Sequence, residues 1–172
     1  LPKVTRLACG KPLLHYVLQS LDFIPPEDTI VVVGYQKERV MEAFPAYCFA
    51  EQKEQLGTGH AVLSAFEALE GFEGDVLVCC GDMPLIRRET YFALTETHRR
   101  SGALCTMLTG TSDLELPYGR VERDAAGNFL RIVEQKDCSP AQLSIRELNA
   151  GVYVFDATAL QGALSMLKNN NA

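Results

Sequence analysis

Positive charge is scarce in this 172-residue chain: sixteen Lys and Arg stand against twenty-two Asp and Glu, for a net charge of −6. A nucleic-acid groove or an anionic membrane surface normally requires a basic patch, so neither is expected as a partner. An anionic small molecule is not excluded, because a few local cations and backbone amides bind phosphate even in an acidic protein. Long apolar runs are also missing. None approaches the roughly 20 residues of a membrane span, and no signal peptide is visible. The histidines, His15, His60 and His98, lack zinc spacing. Cys9, Cys48, Cys79, Cys80, Cys105 and Cys138 form no C-x-x-C pair, and several sit in apolar runs where a thiol behaves as a small hydrophobe. Reduced thiols in a soluble, cytoplasmic protein are therefore expected. No G-x-S-x-G elbow, Walker loop, H-E-x-x-H or G-x-G-x-x-G motif points to other chemistry.

With 47% hydrophobic and 22% charged residues, the composition fits one ordinary globular domain. The chain opens at Leu1-Pro2-Lys3 without a methionine and ends in Lys168-Asn169-Asn170-Asn171-Ala172, so a fragment of a longer protein is expected. Pro12 suits a first helical position, and Leu13, Leu14, Val17, Leu18 and Leu21 recur with helical period. Thr29 to Val33 is a β-branched strand closed by Gly34. Residues 36–44 read as a helix stopped by Pro45, and Tyr47 to Ala50 as a strand. Gly57-Thr58-Gly59 opens a helix carrying Val62, Leu63, Phe66 and Leu69. Asp75 to Cys80 is another apolar strand. A helix over 88–100 precedes a strand over Leu104 to Leu108. Such alternation predicts a parallel sheet covered on both faces. Beyond residue 110 the pattern changes. Gly119 to Arg123 and Phe129 to Glu134 flank a hairpin turn, and a strand over Leu148 to Phe155 leads into a helix to about Leu167.

In open α/β sheets, ligands bind beyond the carboxyl ends of the strands. The strand before Gly81-Asp82-Met83-Pro84 would deliver Asp82 there, where a carboxylate suits Mg²⁺ shared with substrate phosphates. The same residue could instead form an Asx turn or cap the next helix. Gly57-Thr58-Gly59 exposes backbone N–H groups to an anion or a nucleobase edge, or is simply a helix start. Gln52 and Gln55 offer donors and acceptors for a pyrimidine. Lys3 could hold a phosphate as a point charge. Gly119, Glu134 and Asn149 stand at strand ends and supply an amide, a carboxylate and a carboxamide. That inventory suits sugar hydroxyls, which both donate and accept.

Seven segments follow in order: Leu1-Pro2-Lys3-Val4, Ala8-Cys9-Gly10-Lys11-Pro12-Leu13, Glu54-Gln55-Leu56-Gly57-Thr58-Gly59-His60-Ala61, Gly81-Asp82-Met83-Pro84-Leu85, Tyr118-Gly119-Arg120-Val121, Ile132-Val133-Glu134-Gln135-Lys136-Asp137 and Glu147-Leu148-Asn149-Ala150-Gly151-Val152. Any one is weak, but the succession is specific. It resembles the pyrophosphorylase domain of bacterial N-acetylglucosamine-1-phosphate uridyltransferases over the whole chain.

The resemblance implies a three-layer, Rossmann-like nucleotide-diphospho-sugar transferase fold, with a mostly parallel central sheet and an antiparallel sugar-binding excursion. It implies one truncated domain over 1–172, in which roughly 1–110 binds nucleotide and 111–155 binds sugar. Lys3 would contact phosphates and, with Asp82, carry catalysis. Gln52, Gly57 and Thr58 would surround uracil and ribose, Asp82 would bind Mg²⁺, and Gly119, Glu134 and Asn149 would hold N-acetylglucosamine. The family joins N-acetylglucosamine 1-phosphate to UTP. It releases pyrophosphate and forms UDP-N-acetylglucosamine, a wall and lipopolysaccharide precursor. In the family a glycine-rich loop and its strand precede the lysine, and a second magnesium ligand, an asparagine, follows the region matched here. An unfilled slot in the sheet is thus expected, and homo-oligomers would form through a C-terminal acetyltransferase domain. Two other readings use the same residues: transfer to another sugar phosphate or from another base (glucose with dTTP, or CTP), and a non-catalytic regulatory module of this fold.

Overall fold

The computed structural model describes residues 2–54 and 56–166; Leu1, Gln55 and the tail from Leu167 to Ala172, all invoked above, lie outside them. Lys3–Thr5 forms a single 3-10 turn. Cys9 and Gly10, both at positive φ, then make a two-residue turn that joins β1 (Leu7–Ala8) to β2 (Lys11–Pro12) as an antiparallel hairpin. Turns with two left-handed residues match the twist of the flanking strands. Only Gly10 signals this in the sequence, so the hairpin was not foreseen. Pro12 caps α1 (Leu13–Ser20) from outside rather than occupying its first turn.

The next elements follow the periodicity. They are β3 (Ile30–Val33), α2 (Lys37–Ala43), β4 (Cys48–Glu51), α3 (Thr58–Ser64), β5 (Asp75–Val78) and α4 (Arg88–Ser101). The helix expected to continue through Leu69 breaks after α3 into a 3-10 turn at Phe66–Leu69. Gly102, at φ 63°, ends α4. Then come β6 (Cys105–Thr111), β7 (Arg120–Arg123), β8 (Phe129–Val133), α5 (Pro140–Leu143), β9 (Glu147–Asp156) and α6 (Ala157–Ser165). Ser139 and Gln142 form a capping box on α5, and Asp156 caps α6 by accepting from the Ala159 N–H at 2.8 Å. No helix among the described residues is long and apolar enough to cross a membrane.

The fold is α/β, but strand direction departs from the expected parallel sheet. The parallel pairing is that of β3 with β4, Ile30 opposite Cys48 through Val33 opposite Glu51. β5, β6, β7 and β9 pair antiparallel in a separate five-stranded sheet that includes β8. A continuous apolar run reports burial on both faces and carries no information about which way the neighbour runs. Moreover, β9, assigned to the sugar-binding part, hydrogen-bonds β5 and β6 of the nucleotide-binding part. Residues 153–156 of β9 have β5 on one edge and β6 on the other. β6 continues alongside 147–149, so β7, which places Arg120 opposite Leu148, shares the β5 edge.

Helix α1 ties the two ladders together. Its Leu14 and Leu18 pack with Val33, Val40 and Phe44, while its Val17 and Leu21, just past its end, pack with Tyr91, Leu94, Val152 and Val154. The ladders share no strand among the described residues, and Val31, Val32 and Val76 to Val78 are only partly buried. Tyr91, Val152 and Val154 are fully buried. Burying side chains of this size stabilises by roughly 1.5–3 kcal/mol each. His98, also buried, places Nδ1 2.9 Å from Thr106 Oγ1 and Nε2 3.6 Å from Asp75, holding α4 to β6 and β5.

The Tyr91 hydroxyl is buried, and the weakly bonding Cys79 thiol is the group it faces. The pKa of that thiol is pushed up to about 11, chiefly by burial. A buried hydroxyl that meets only a thiol, a weak donor and acceptor, regains little of the hydration it gives up. Tyr91→Phe is therefore expected to leave stability within about 1 kcal/mol of wild type or raise it, whereas Tyr91→Ala should cost about 3–5 kcal/mol. Urea unfolding checks both; a loss of several kcal/mol in Tyr91→Phe would show that the hydroxyl is satisfied.

Candidate active site

Strand β5 runs toward the middle of β9 and stops at Val78, opposite Tyr153. Strand β7 starts at Arg120, opposite Leu148, and runs away in the same direction. The carboxyl end of one strand therefore faces the amino end of the other along a single edge. The residues beyond those two ends are the candidate site.

Within the gap, β9 is distorted. Gly151 has φ 68°, and the Asn149 side-chain oxygen accepts a hydrogen bond from the Gly151 N–H at 3.0 Å. A side chain other than glycine's would be strained there. The pairing of β6 with β9 slips at the same level, between Met107 and Thr109. The turn uses the Asn149 oxygen and leaves its NH₂ group to point elsewhere. The Asn149 backbone N–H donates to the Gly119 carbonyl at 2.9 Å. Gly119 is itself pinched: a Cβ there would lie 2.8 Å from Ile132 Cγ2 and 3.6 Å from the nearer Glu134 oxygen. Gly119, Glu134 and Asn149 are thus neighbours.

Asp82 enters through Cys80. The Cys80 thiol lies over Gly151, 4.0 Å from its carbonyl oxygen, and its pKa is raised by burial and then by the Asp82 charge. Tyr153, with its pKa raised by burial, hydrogen-bonds Asn149 and senses both Glu134 and Cys80. The Asp82 carboxylate is exposed and accepts no hydrogen bond among the described residues. Helix α4 begins after Arg87, which provides no side-chain cap, so Asp82 does not cap it. A Cβ on Gly81 would meet Val4 and Leu14 at 3.2 Å, so the turn carrying Lys3 packs directly against the Gly81-Asp82 corner. Lys3 is exposed.

Gln52, Gly57 and Thr58 form a second group at the carboxyl end of β4. The Gln52 N–H donates to the Val33 carbonyl at 2.7 Å. Its side-chain NH₂ donates to the Gly57 carbonyl at 3.2 Å and lies 3.2 Å from His60 Nδ1. With His60 in the tautomer that leaves Nδ1 unprotonated, both donors are spent and the side-chain oxygen is left to accept. Gly57, at φ 100°, precedes α3, and Thr58 begins the helix rather than capping it. No hydrogen bond among the described residues joins Gln52, Gly57 or Thr58 to Asp82. His60, Arg120 and Gly151 lie within the segments that carry the resemblance, and Cys80 was read as a core thiol; the sequence does not say what each of their side chains or backbones touches.

The hairpin bearing Glu134 is braced from outside. Arg123 grips both oxygens of Glu147 at 2.7 and 2.8 Å, Arg131 reaches Glu122 at 2.6 Å, and Gln142 donates to Glu122 at 3.2 Å. Two cavities lie elsewhere. A groove of about 450 Å³ includes Lys11, His15, Leu18, Phe44 and Tyr47, and a smaller one of about 170 Å³ includes Asp75, His98 and Asp156. Neither touches any residue named as a candidate ligand. Gly119, Glu134 and Asn149, with the Asp82 turn beyond the end of β5 on the same edge of β9, lie outside both cavities.

Residues 2–141 match the family described as the MobA-like NTP transferase domain. The chain is 45% identical over 173 residues to the bifunctional protein GlmU of Pelotomaculum thermopropionicum and 44% identical over 171 residues to that of Geobacillus thermodenitrificans. The alignments cover 100% and 99% of this chain but 38% and 37% of those proteins, so it spans little more than a third of their length. Its fold is similar to that of HddC from Yersinia pseudotuberculosis complexed with GMP-PN, with a TM-score of 0.71 at 20% identity, over 94% of this chain and 70% of the other. The architecture is that of the nucleotide-diphospho-sugar transferases.

Arg123 holds the Glu147 carboxyl below its ordinary pKa of 4.5, and Arg131 does the same for Glu122. A carboxylate with a lowered folded pKa contributes stability that is full above its ordinary value and fades as pH falls through the folded value. Thermal melts between pH 7 and pH 3 should therefore show a loss setting in below about 4.5. The loss should be smaller in Glu147→Gln; an unchanged pH profile in that variant would remove Glu147 from the brace.

Proposed function

The chain belongs to the MobA-like NTP transferase family, and on that premise we propose that it supplies the uridyltransferase site of a GlmU-type protein. That site moves UMP from UTP to N-acetylglucosamine 1-phosphate and releases pyrophosphate. One observation carries the reading: Gly119, Glu134 and Asn149 are neighbours at the amino end of β7, and the Gly81-Asp82 turn follows the carboxyl end of β5 on the same edge of β9.

The attacking group is already an anionic phosphate, so no side chain need remove a proton from it. What remains is to bring two anions into line at the α-phosphorus. Lys3, exposed on a turn packed against Gly81, offsets part of that repulsion. Gly119, Glu134 and Asn149 hold the sugar: the glutamate accepts from hydroxyls, and the Asn149 NH₂, one proton of which serves Tyr153, donates with the other. With the Gln52 donors held by Gly57 and His60, its oxygen remains to accept from a base. Uracil presents an N–H at its reading edge where cytosine presents a lone pair, which supports UTP over CTP.

The Asp82 carboxylate fits Mg²⁺. It is exposed and unspent on internal hydrogen bonds, and no cluster of three potential ligands exists among the described residues. A single protein carboxylate completed by water and substrate oxygens is how this hard cation is commonly held. Bound there, Mg²⁺ would neutralise phosphate charge and stabilise the departing pyrophosphate. The free cysteines and the biosynthetic role support a cytoplasmic location.

Asp82→Asn in the intact protein is expected to lower kcat by about 100-fold or more and to weaken its dependence on Mg²⁺. Unchanged turnover and magnesium dependence would refute the role of Asp82.

A further inference from the structure

Arg120 follows Gly119 at the start of β7 and is only 2% exposed. Its guanidinium meets no carboxylate among the described residues. Nη1 donates to the Leu116 carbonyl at 3.0 Å and to the Tyr118 carbonyl, while Nε is buried with no partner. Every other arginine in an ion pair here is at least partly exposed and faces Asp or Glu. A cation buried without a counter-charge is costly, so the two carbonyls it holds are held at the expense of stability. Those carbonyls belong to the two residues flanking Pro117, in the segment that leads into Gly119.

Because Arg120 pairs with Leu148, it shares that residue's face of the sheet; Gly119, opposite Asn149, belongs to the other. Arg120 thus reaches the site only through the backbone. Gly119 has no slack: Ile132 closes one side and Asn149 is bonded to its carbonyl. A shift of the 116–118 backbone must therefore be passed on to Gly119 and its neighbours. We infer that Arg120 is a positioning residue for the sugar-phosphate half of the site, fixing the approach of Gly119 by clamping the Leu116 and Tyr118 carbonyls. The inference rests on the uridyltransferase reading above.

The test is steady-state kinetics of the intact protein, varying UTP and N-acetylglucosamine 1-phosphate separately, for wild type, Arg120→Met and Arg120→Lys. Arg120→Met keeps the apolar stem and loses the donors. It should raise KM for the sugar phosphate on the order of tenfold while KM for UTP stays within about twofold. Arg120→Lys, which retains donors, should recover most of that loss. Equal effects on both substrates, or none on either, would overturn the inference. Should Arg120→Met fail to fold, hydrogen exchange and kinetics on Arg120→Gln, which loses the charge and most of the donors, decide. Faster exchange confined to residues 112–119 and the Asn149 amide, together with a raised sugar-phosphate KM, supports positioning; the same loosening with an unchanged KM overturns it. A wild type that uses no sugar 1-phosphate would sink the functional reading and this inference with it; an active wild type with indifferent variants sinks the inference alone.

Discussion

The arrangement depends on one edge of one strand. β9 is ten residues long, and two strands share the same edge of it, β5 against its second half and β7 against its first. Both run in the same direction, so a carboxyl end and an amino end meet at Asn149 to Val152. Regular pairing would fill that stretch with ladder hydrogen bonds. The left-handed Gly151 and the Asn149 turn interrupt it instead, freeing polar groups at a place where the backbone on either side is held firmly. A rim of this kind binds through groups that are positioned without being consumed.

Neighbouring features follow from that interruption. Gly119 must be glycine because Ile132 leaves no room for a Cβ. The Cys80 thiol sits over Gly151, between the Asp82 corner and the distorted part of β9. The arginine–carboxylate braces on β7 and β8 lie outside the rim and fix the hairpin that presents Glu134. At the other end of the molecule His98, Thr106 and Asp75 tie helix α4 to the sheet, well away from the rim. Stability and binding are thereby separated along β5, whose first residue, Asp75, anchors the helix and whose exit carries Asp82.

Much of this was legible in the sequence, and the rest has identifiable reasons for staying hidden. Helical period located α1, α2 and α4, and β-branched runs located β3 and β5, because burial imposes those patterns directly. The turn at Gly81 to Pro84 marked a strand exit, which is why Asp82 could be read as a rim residue. Strand direction was not legible, since Val76 and Leu77 would look the same beside a parallel or an antiparallel neighbour. Nor was the hairpin at Cys9 and Gly10, because cysteine gives no hint of a positive φ. The roles of His60 and Arg120 were invisible for another reason. Each is a contact with a backbone carbonyl or a side-chain amide, and residue type alone does not say which.

The central claim is that ligand binds at the β5–β7 junction and not in the larger groove beside α1. Amide NMR shifts recorded on the intact protein during titration with UDP-N-acetylglucosamine and Mg²⁺ test this most directly. The account predicts that the amides of Asp82, Gly119, Glu134, Asn149 and Gly151 move together along one binding curve, while those of His15, Leu18 and Tyr47 stay still. Movement centred on His15, Leu18 and Tyr47, with the junction amides unchanged, would contradict it.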